Sequence, residues 1–218
     1  MSTGLNYQYY EYYFNDNLNW FDGRSVSSQG TQTGVINYSN SNRYNDTFSL
    51  RWWGYIVPKV SGTWEFYTAS DDSSRLYIAP RGIMFNSSHN PRNGLNDIKS
   101  NNDYYIVQNS GIHGNRGRYG SIDLQSNTAY EMILYFGDDL HGNHITFRWK
   151  PPNYGTSNSA STFLNSIGGS DSYLEFYKSH TFTLGSFSWG SYINSDEIDS
   201  SGSFNISIDQ NYPIDKFI

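Results

Sequence analysis

The stretch FSLRWWGYIVPKVSGTWEFYTASDDSSRLYI, residues 48–78, decides how this chain is read. Phe48, Leu50 and Trp52 share one face of an extended chain, and Trp64, Phe66 and Thr68 share one after the interruption at PKVSG, because successive strand side chains point to opposite faces. Leu76 and Ile78 form a third run, after the adjacent acids Asp71 and Asp72. Proline and glycine between the first two runs are turn chemistry, so the stretch predicts consecutive antiparallel strands. Trp52 and Trp53 read as core or rim of a sheet rather than as a ligand platform.

Outward from this stretch the alternation recurs in Ile122 with Leu124, in Tyr130, Met132, Leu134 and Phe136, and in Ile145, Phe147 and Trp149. Between the runs lie GDDLHGN and NSGIHGNRG, again loop chemistry, and no helical period of useful length appears. Only 36% of the 218 residues are hydrophobic, but 18% are aromatic, with 20 Tyr, 13 Phe and 6 Trp; such residues fit pleated, half-buried surfaces and are scarce in disordered chains. The expectation is an all-β, antiparallel β-sandwich with a long inserted loop and a small C-terminal β extension.

A formal net charge of −6 argues against duplex nucleic acid or an anionic membrane as partner and is compatible with a cation. The absence of cysteine removes disulfides and thiolate metal sites. It fits a bacterial, viral or intracellular product better than a small secreted animal domain, and leaves the compartment open. No stretch approaches the roughly 18 apolar residues of a bilayer span, so membrane insertion is not expected. The N-terminal MSTGLNYQYYEYY lacks a basic region followed by an apolar run, so ordinary export is not expected if Met1 is the natural start.

Two segments break the even spacing. Pro80 to Tyr105 is a long polar stretch of the kind that is either functional or disordered in compact domains, which makes it a candidate docking loop. At KPPNYGTSNSAS, from Lys150, two prolines stop the strand and small polar residues follow, so a boundary is expected there. Residues 1–152 form the main domain and residues 153–218 a linker with a C-terminal β extension or docking segment. SYLEFY, HTFTLGSFSWG and SFNISID read as three further strands that either join the main sheets or form an appendix.

The paired acids raise the question of chemistry. Calcium takes about six to eight oxygen ligands, commonly from loops, and Asp71 with Asp72 offers two carboxylates. Consecutive side chains of an extended chain diverge, so both reach one ion only if the backbone bends there, as a cis Asp71–Asp72 bond would make it do. In VQNSGIHGNRG, Asn109 offers a side-chain oxygen, and a tight loop through Gly111 and Gly114 lets the carbonyls of Gly111 and His113 turn inward.

These residues carry a resemblance. RWWGYI, SGTWEFYTASDD, RLYI, NSGIHG, GSIDL and YF…RW occur in the order and sense of the protective-antigen-type fourteen-kilodalton domain, a β-sandwich module of bacterial adhesins, toxins and glycosidases and of yeast flocculins. The resemblance covers about residues 4 to 152. It implies a calcium ion (Ca2+) held by Asp71, Asp72, Asn109, Gly111 and His113, with the Asp pair in a cis peptide. It also implies a sugar whose two neighbouring hydroxyls complete the ion's shell, contacted by Asp71, Asp72, Asn115, Arg116, Asp138, Asp139 and His141, with Tyr104 or Tyr119 as a stacking face. By residue type alone, Asp138 and Asp139 read as a hairpin turn. Ser73 stands where the family usually has Gly after the Asp pair, the loop from Pro80 is longer than usual, and the C-terminal residues have no counterpart.

The reading that follows is a non-catalytic, calcium-dependent lectin or adhesin module that attaches to surface glycans, extracellular or on a cell or virion surface. The alternative is a structural or docking component joined to other subunits of a phage or virion assembly, which a cysteine-free chain starting at Met1 would suit. An enzyme is not expected. The five Glu mostly fall inside strand patterns, and no nucleophile elbow, phosphate-binding loop or zinc HExxH occurs.

Overall fold

The computed structural model describes residues 3–39, 47–78, 105–154, 164–165, 167 and 173–178. Among these residues eleven strands are formed: β1 (Leu5–Glu11), β2 (Ser28–Gln32), β3 (Asn37–Tyr38), β4 (Phe48–Pro58), β5 (Gly62–Asp71), β6 (Ser73–Ile78), β7 (Tyr105–Asn109), β8 (Arg116–Leu124), β9 (Tyr130–Asp138), β10 (His144–Lys150) and β11 (Leu174–Tyr177). One short 3-10 helix, Leu18–Phe21, follows β1, and no α-helix occurs among the described residues. One sheet runs β2-β1-β4-β9-β6-β7, with β11 pairing β4; the other runs β3-β10-β5-β8. Every pairing is antiparallel, as the alternation and short turns require.

Three of the places where the chain changes sheet lie between β5 and β6, between β7 and β8, and between β9 and β10. Registers of Ser73 with Gly137, Ser74 with Asn109, Asp71 with His144 and Ser70 with Arg116 bring all three crossings to the same end of the sandwich. That end carries Asp71–Asp72, the loop 110–115 and the loop 139–143.

Between the sheets lie the residues that the alternation singled out, including Phe48, Leu50, Trp52, Trp64, Phe66, Leu76, Phe136, Phe147 and Trp149. A second cluster covers the opposite face of the larger sheet. Tyr10, Phe14, Leu18 and Phe21 fold over Trp53, Tyr77, Ile133 and Tyr135, which explains why β4 and β9 are buried almost along their whole length. Adjacent Trp52 and Trp53 therefore belong to different clusters. Under the outer one lies Arg51, whose Nε and Nη2 both donate to Gln8 Oε1 at 3.0 and 2.7 Å, with the rings of Tyr10, Phe21 and Trp53 about its guanidinium.

The expected strand SYLEFY is β11, and it continues the edge of β4 beyond β1: Tyr55 pairs with Tyr177, Pro58 with Leu174, and Gly4 N–H donates to Phe176 O at 2.9 Å. Ile167, Leu174 and Phe176 lie in the core between the sheets, and the Phe176 ring packs tilted against Trp149, with centroids 4.8 Å apart. The boundary expected at residue 152 thus marks a change in composition, whereas the packing runs across it. Pro80 to Tyr104 and the expected strands in HTFTLGSFSWG and SFNISID lie outside the described residues.

Candidate functional site

Asp71 ends β5 and Ser73 opens β6 in the other sheet, so the acid pair is itself the link between sheets. The Asp71–Asp72 bond is cis. Asp72 is 2% exposed and is held from both neighbouring loops: its Oδ1 accepts from His113 N–H at 2.7 Å and its Oδ2 from Asp139 N–H at 2.9 Å. Asp71 is half-buried and accepts from the Asn115 backbone. Burial and the Asp72 charge push its carboxyl up, against the nearby histidines His113 and His144. Gly142 brings the third loop against this carboxylate; a Cβ there would stand 2.6 Å from Asp71 Oδ2.

Asp138, the last residue of β9, joins them. It is 0% exposed, and one carboxylate oxygen each from Asp138, Asp71 and Asp72 lie within 4.8 Å of one another. Neither of its oxygens has a hydrogen-bond partner among the described residues. Its carboxyl is pushed up to about 8, first by burial and then by the charges of Asp72, Asp71 and Asp139. Two oxygens bound to one calcium at 2.3–2.6 Å cannot be more than about 5 Å apart, so this spacing fits a shared cation. An all-oxygen, strongly anionic set with an orphaned buried carboxylate is what a hard divalent ion would satisfy.

The second loop is braced in detail. Gly111, at φ +90, donates its N–H to Asp16 Oδ2 at 2.7 Å, and a residue other than glycine would be strained in that conformation. Asp16 also accepts from the Ser73 hydroxyl and pairs with Arg75 at 3.4 Å, so one N-terminal residue ties the second loop to β6. Sequence reading missed it because nothing in NDN marks a residue that acts 95 positions away. Below the acids, buried Thr68, Ser74, Ser70 and Asn109 form one hydrogen-bonded chain with contacts of 2.8 to 2.9 Å. His113 carries its imidazole back onto its own loop, with Nδ1 2.9 Å from Gly114 O, so only its backbone N–H faces Asp72.

The candidate sugar contacts divide. Asn115 and His141 are exposed on the second and third loops, and Asp139 is half-buried. Arg116 turns inward, its Nε donating to Asn109 Oδ1 at 2.8 Å and its Nη2 to Ser110 O at 2.9 Å. Asp138 is corrected: it is neither a turn residue nor open to a sugar, because β9 extends far enough to bury it beside Asp72. Tyr119 lies opposite Tyr67, three register positions along β5 and β8 from the Ser70–Arg116 pair, away from the acids; Tyr104 is outside the described residues. Ile112 and Leu140, 66% and 43% exposed, stand on the second and third loops as apolar residues that the sequence reading passed over.

The PA14 domain profile matches residues 1–162, and the chain belongs to that family. Over 33 residues it is 48% identical to anti-sigma-I factor RsgI3 of Acetivibrio thermocellus, covering 15% of this chain and 5% of that protein. An anti-sigma factor domain-containing protein from Clostridium clariflavum superposes with a TM-score of 0.51 at 18% identity, over 85% of this chain and 50% of the other. The epithelial adhesin 9 A domain of Candida glabrata, solved in complex with Galb1-3GlcNAc, superposes with a TM-score of 0.54 at 13% identity, over 78% and 92%. At these identities the likeness is one of fold. The chain spans only a small part of RsgI3 and half of the Clostridium clariflavum protein.

Proposed function

We propose that this chain is a non-catalytic, calcium-dependent glycan-binding module used for attachment at a cell or virion surface. The observation that carries the reading is the convergence of Asp71, Asp72 and Asp138 where three sheet-crossing loops meet. A calcium ion bound there would supply a positive centre with coordination positions that neighbouring sugar hydroxyls can fill. Asp71 and Asp72 hold that ion. Backbone donors from His113, Asn115 and Asp139 fix the two carboxylates and the loops to each other, so the rim is set before a ligand arrives. Asp71 is the acid open to the outside. Asn115 and His141 offer polar contacts, and Ile112 and Leu140 apolar ones, to a ring seated above it.

The adhesin domain of the same fold carries a galactose-containing disaccharide in its solved complex, which supports carbohydrate as the ligand class. A glycosidase would need two carboxyls open to the scissile bond, and both Asp72 and Asp138 are buried. The test is a glycan array probed with and without EDTA. The expected result is retention of one class of glycan with vicinal hydroxyls, abolished by EDTA and restored by calcium. Retention that ignores EDTA contradicts calcium dependence, and an array blank under every condition favours a docking component of a larger assembly.

A further inference from the structure

We infer that Asp138 is the third side-chain ligand of the cation and that Asn109 is the brace of the second loop, an exchange of roles relative to the ligand set that the resemblance implies. The inference rests on the calcium reading above and concerns which residues of this chain make the site.

Asn109 is fully engaged without an ion. Its Nδ2 donates to Ser70 Oγ at 2.8 Å and to Arg116 O at 2.7 Å, and its Oδ1 accepts from Arg116 Nε at 2.8 Å. Arg116 fixes the amide orientation, because its carbonyl oxygen can only accept from the nitrogen and its Nε can only donate to the oxygen. A guanidinium already on Oδ1 disfavours a second positive charge on the same atom. The same Arg116 holds Ser110 O, so Asn109 and Arg116 together clamp the start and end of the loop that runs from Ser110 to Asn115.

Asp138 is the reverse case. Both of its oxygens lack partners among the described residues, its side chain is wholly buried, and it shares the cluster of Asp71 and Asp72. Asp72 has a backbone N–H on each oxygen, so the absence of donors at Asp138 is particular to that residue. A buried carboxylate without hydrogen bonds is costly unless a cation stands against it. With three carboxylates the site carries more ligand charge than an Asp pair with a neutral amide, and calcium affinity rises with ligand charge. The ion is therefore held before any glycan binds.

The test is isothermal titration of the full chain with calcium chloride alone, no sugar present, for wild type, Asp138→Asn and Asn109→Ala, with melting in EDTA as the control for folding. Wild type binds one calcium, Asp138→Asn weakens it by roughly tenfold or more, and Asn109→Ala weakens it less than Asp138→Asn does. A loss below about tenfold in Asp138→Asn while wild type binds overturns the inference and leaves the calcium reading standing. A larger loss in Asn109→Ala, with its EDTA melt unchanged, returns Asn109 to the ligand set and also overturns it. Wild type that binds no calcium removes both readings together. Should Asp138→Asn not fold, Asp138→Ser is read by the same criteria.

Discussion

Two regions of this protein bury charge, and they do so in opposite ways. On the outer face of the larger sheet, Arg51 lies beneath aromatic rings and gives two of its donors to Gln8, which also accepts from the Tyr10 hydroxyl at 2.7 Å. At the end where the loops cross, three carboxylates are gathered with no cation among the described side chains of the cluster, and one of them has no donor at all. The first arrangement is complete in itself and serves the fold. The second leaves a buried carboxylate without donors, which an added cation would satisfy.

The largest effect that can separate fold from site is truncation after residue 152. The site's residues all precede that point, yet Ile167, Leu174 and Phe176 are core. Removing a single buried phenylalanine ordinarily costs about 3–5 kcal/mol, so the truncated chain is expected to lose cooperative thermal unfolding, and Phe176→Ala in the full chain to lose about that amount in urea titration. A truncated chain that melts like the full one would show that the tail is an appendix after all.

Next comes Arg51→Ala, expected to cost about 3 kcal/mol or more by urea denaturation because it opens a cavity among Tyr10, Phe21 and Trp53. Arg51→Met refills that volume, and Gln8 keeps the Tyr10 hydroxyl, so most of the loss is expected to be recovered. Neither change is expected to alter the calcium titration. The opposite sign is expected at the other end: in EDTA above about pH 8, where the Asp138 carboxyl is ionised, Asp138→Asn melts above wild type, since it removes a buried charge that Asp72 and Asp71 repel. A lower melt for that variant in EDTA would mean that Asp138 is a structural residue like Arg51.

The last effect is at Glu131, on β9 and in register with Tyr55, where desolvation of a half-buried side chain pushes the carboxyl up to about 8 from an ordinary 4.5. A raised carboxyl favours the protonated folded state, so its contribution to stability falls as pH rises through 4.5 to 8 and changes little beyond. Glu131→Gln is therefore expected to gain stability relative to wild type across that window and to match it at pH 4. Melts recorded from pH 4 to pH 9 check the sign.

Much of this was legible in the sequence, and the reason is periodicity. Inward residues such as Phe66, Leu134 and Phe147 declare themselves by alternation, and the Asp71–Asp72 pair stands out between two strands. The outer cluster was not legible: the segment from Tyr10 to Phe21 has no strand or helix period of length, and only its packing shows that β4 is buried on both faces. Asp138 was misread for a related reason. Two acids followed by Leu-His-Gly have the composition of a turn, and the registers of Phe48 with Asp138 and of Ser73 with Gly137 show that the strand runs on and carries Asp138 beside Asp72. Asp16 depends on a contact across 95 residues, which no local pattern encodes.

The account's central claim is that the three crossing loops hold calcium at Asp71 and Asp72 and present it to a glycan. A crystal structure grown with calcium and a glycan bearing vicinal hydroxyls tests it most directly. One ion is expected within about 2.3–2.6 Å of carboxylate oxygens of Asp71 and Asp72, with sugar hydroxyls completing its shell. A structure at saturating calcium in which both carboxylates keep only their backbone donors, with no ion between them and the sugar elsewhere, would contradict it.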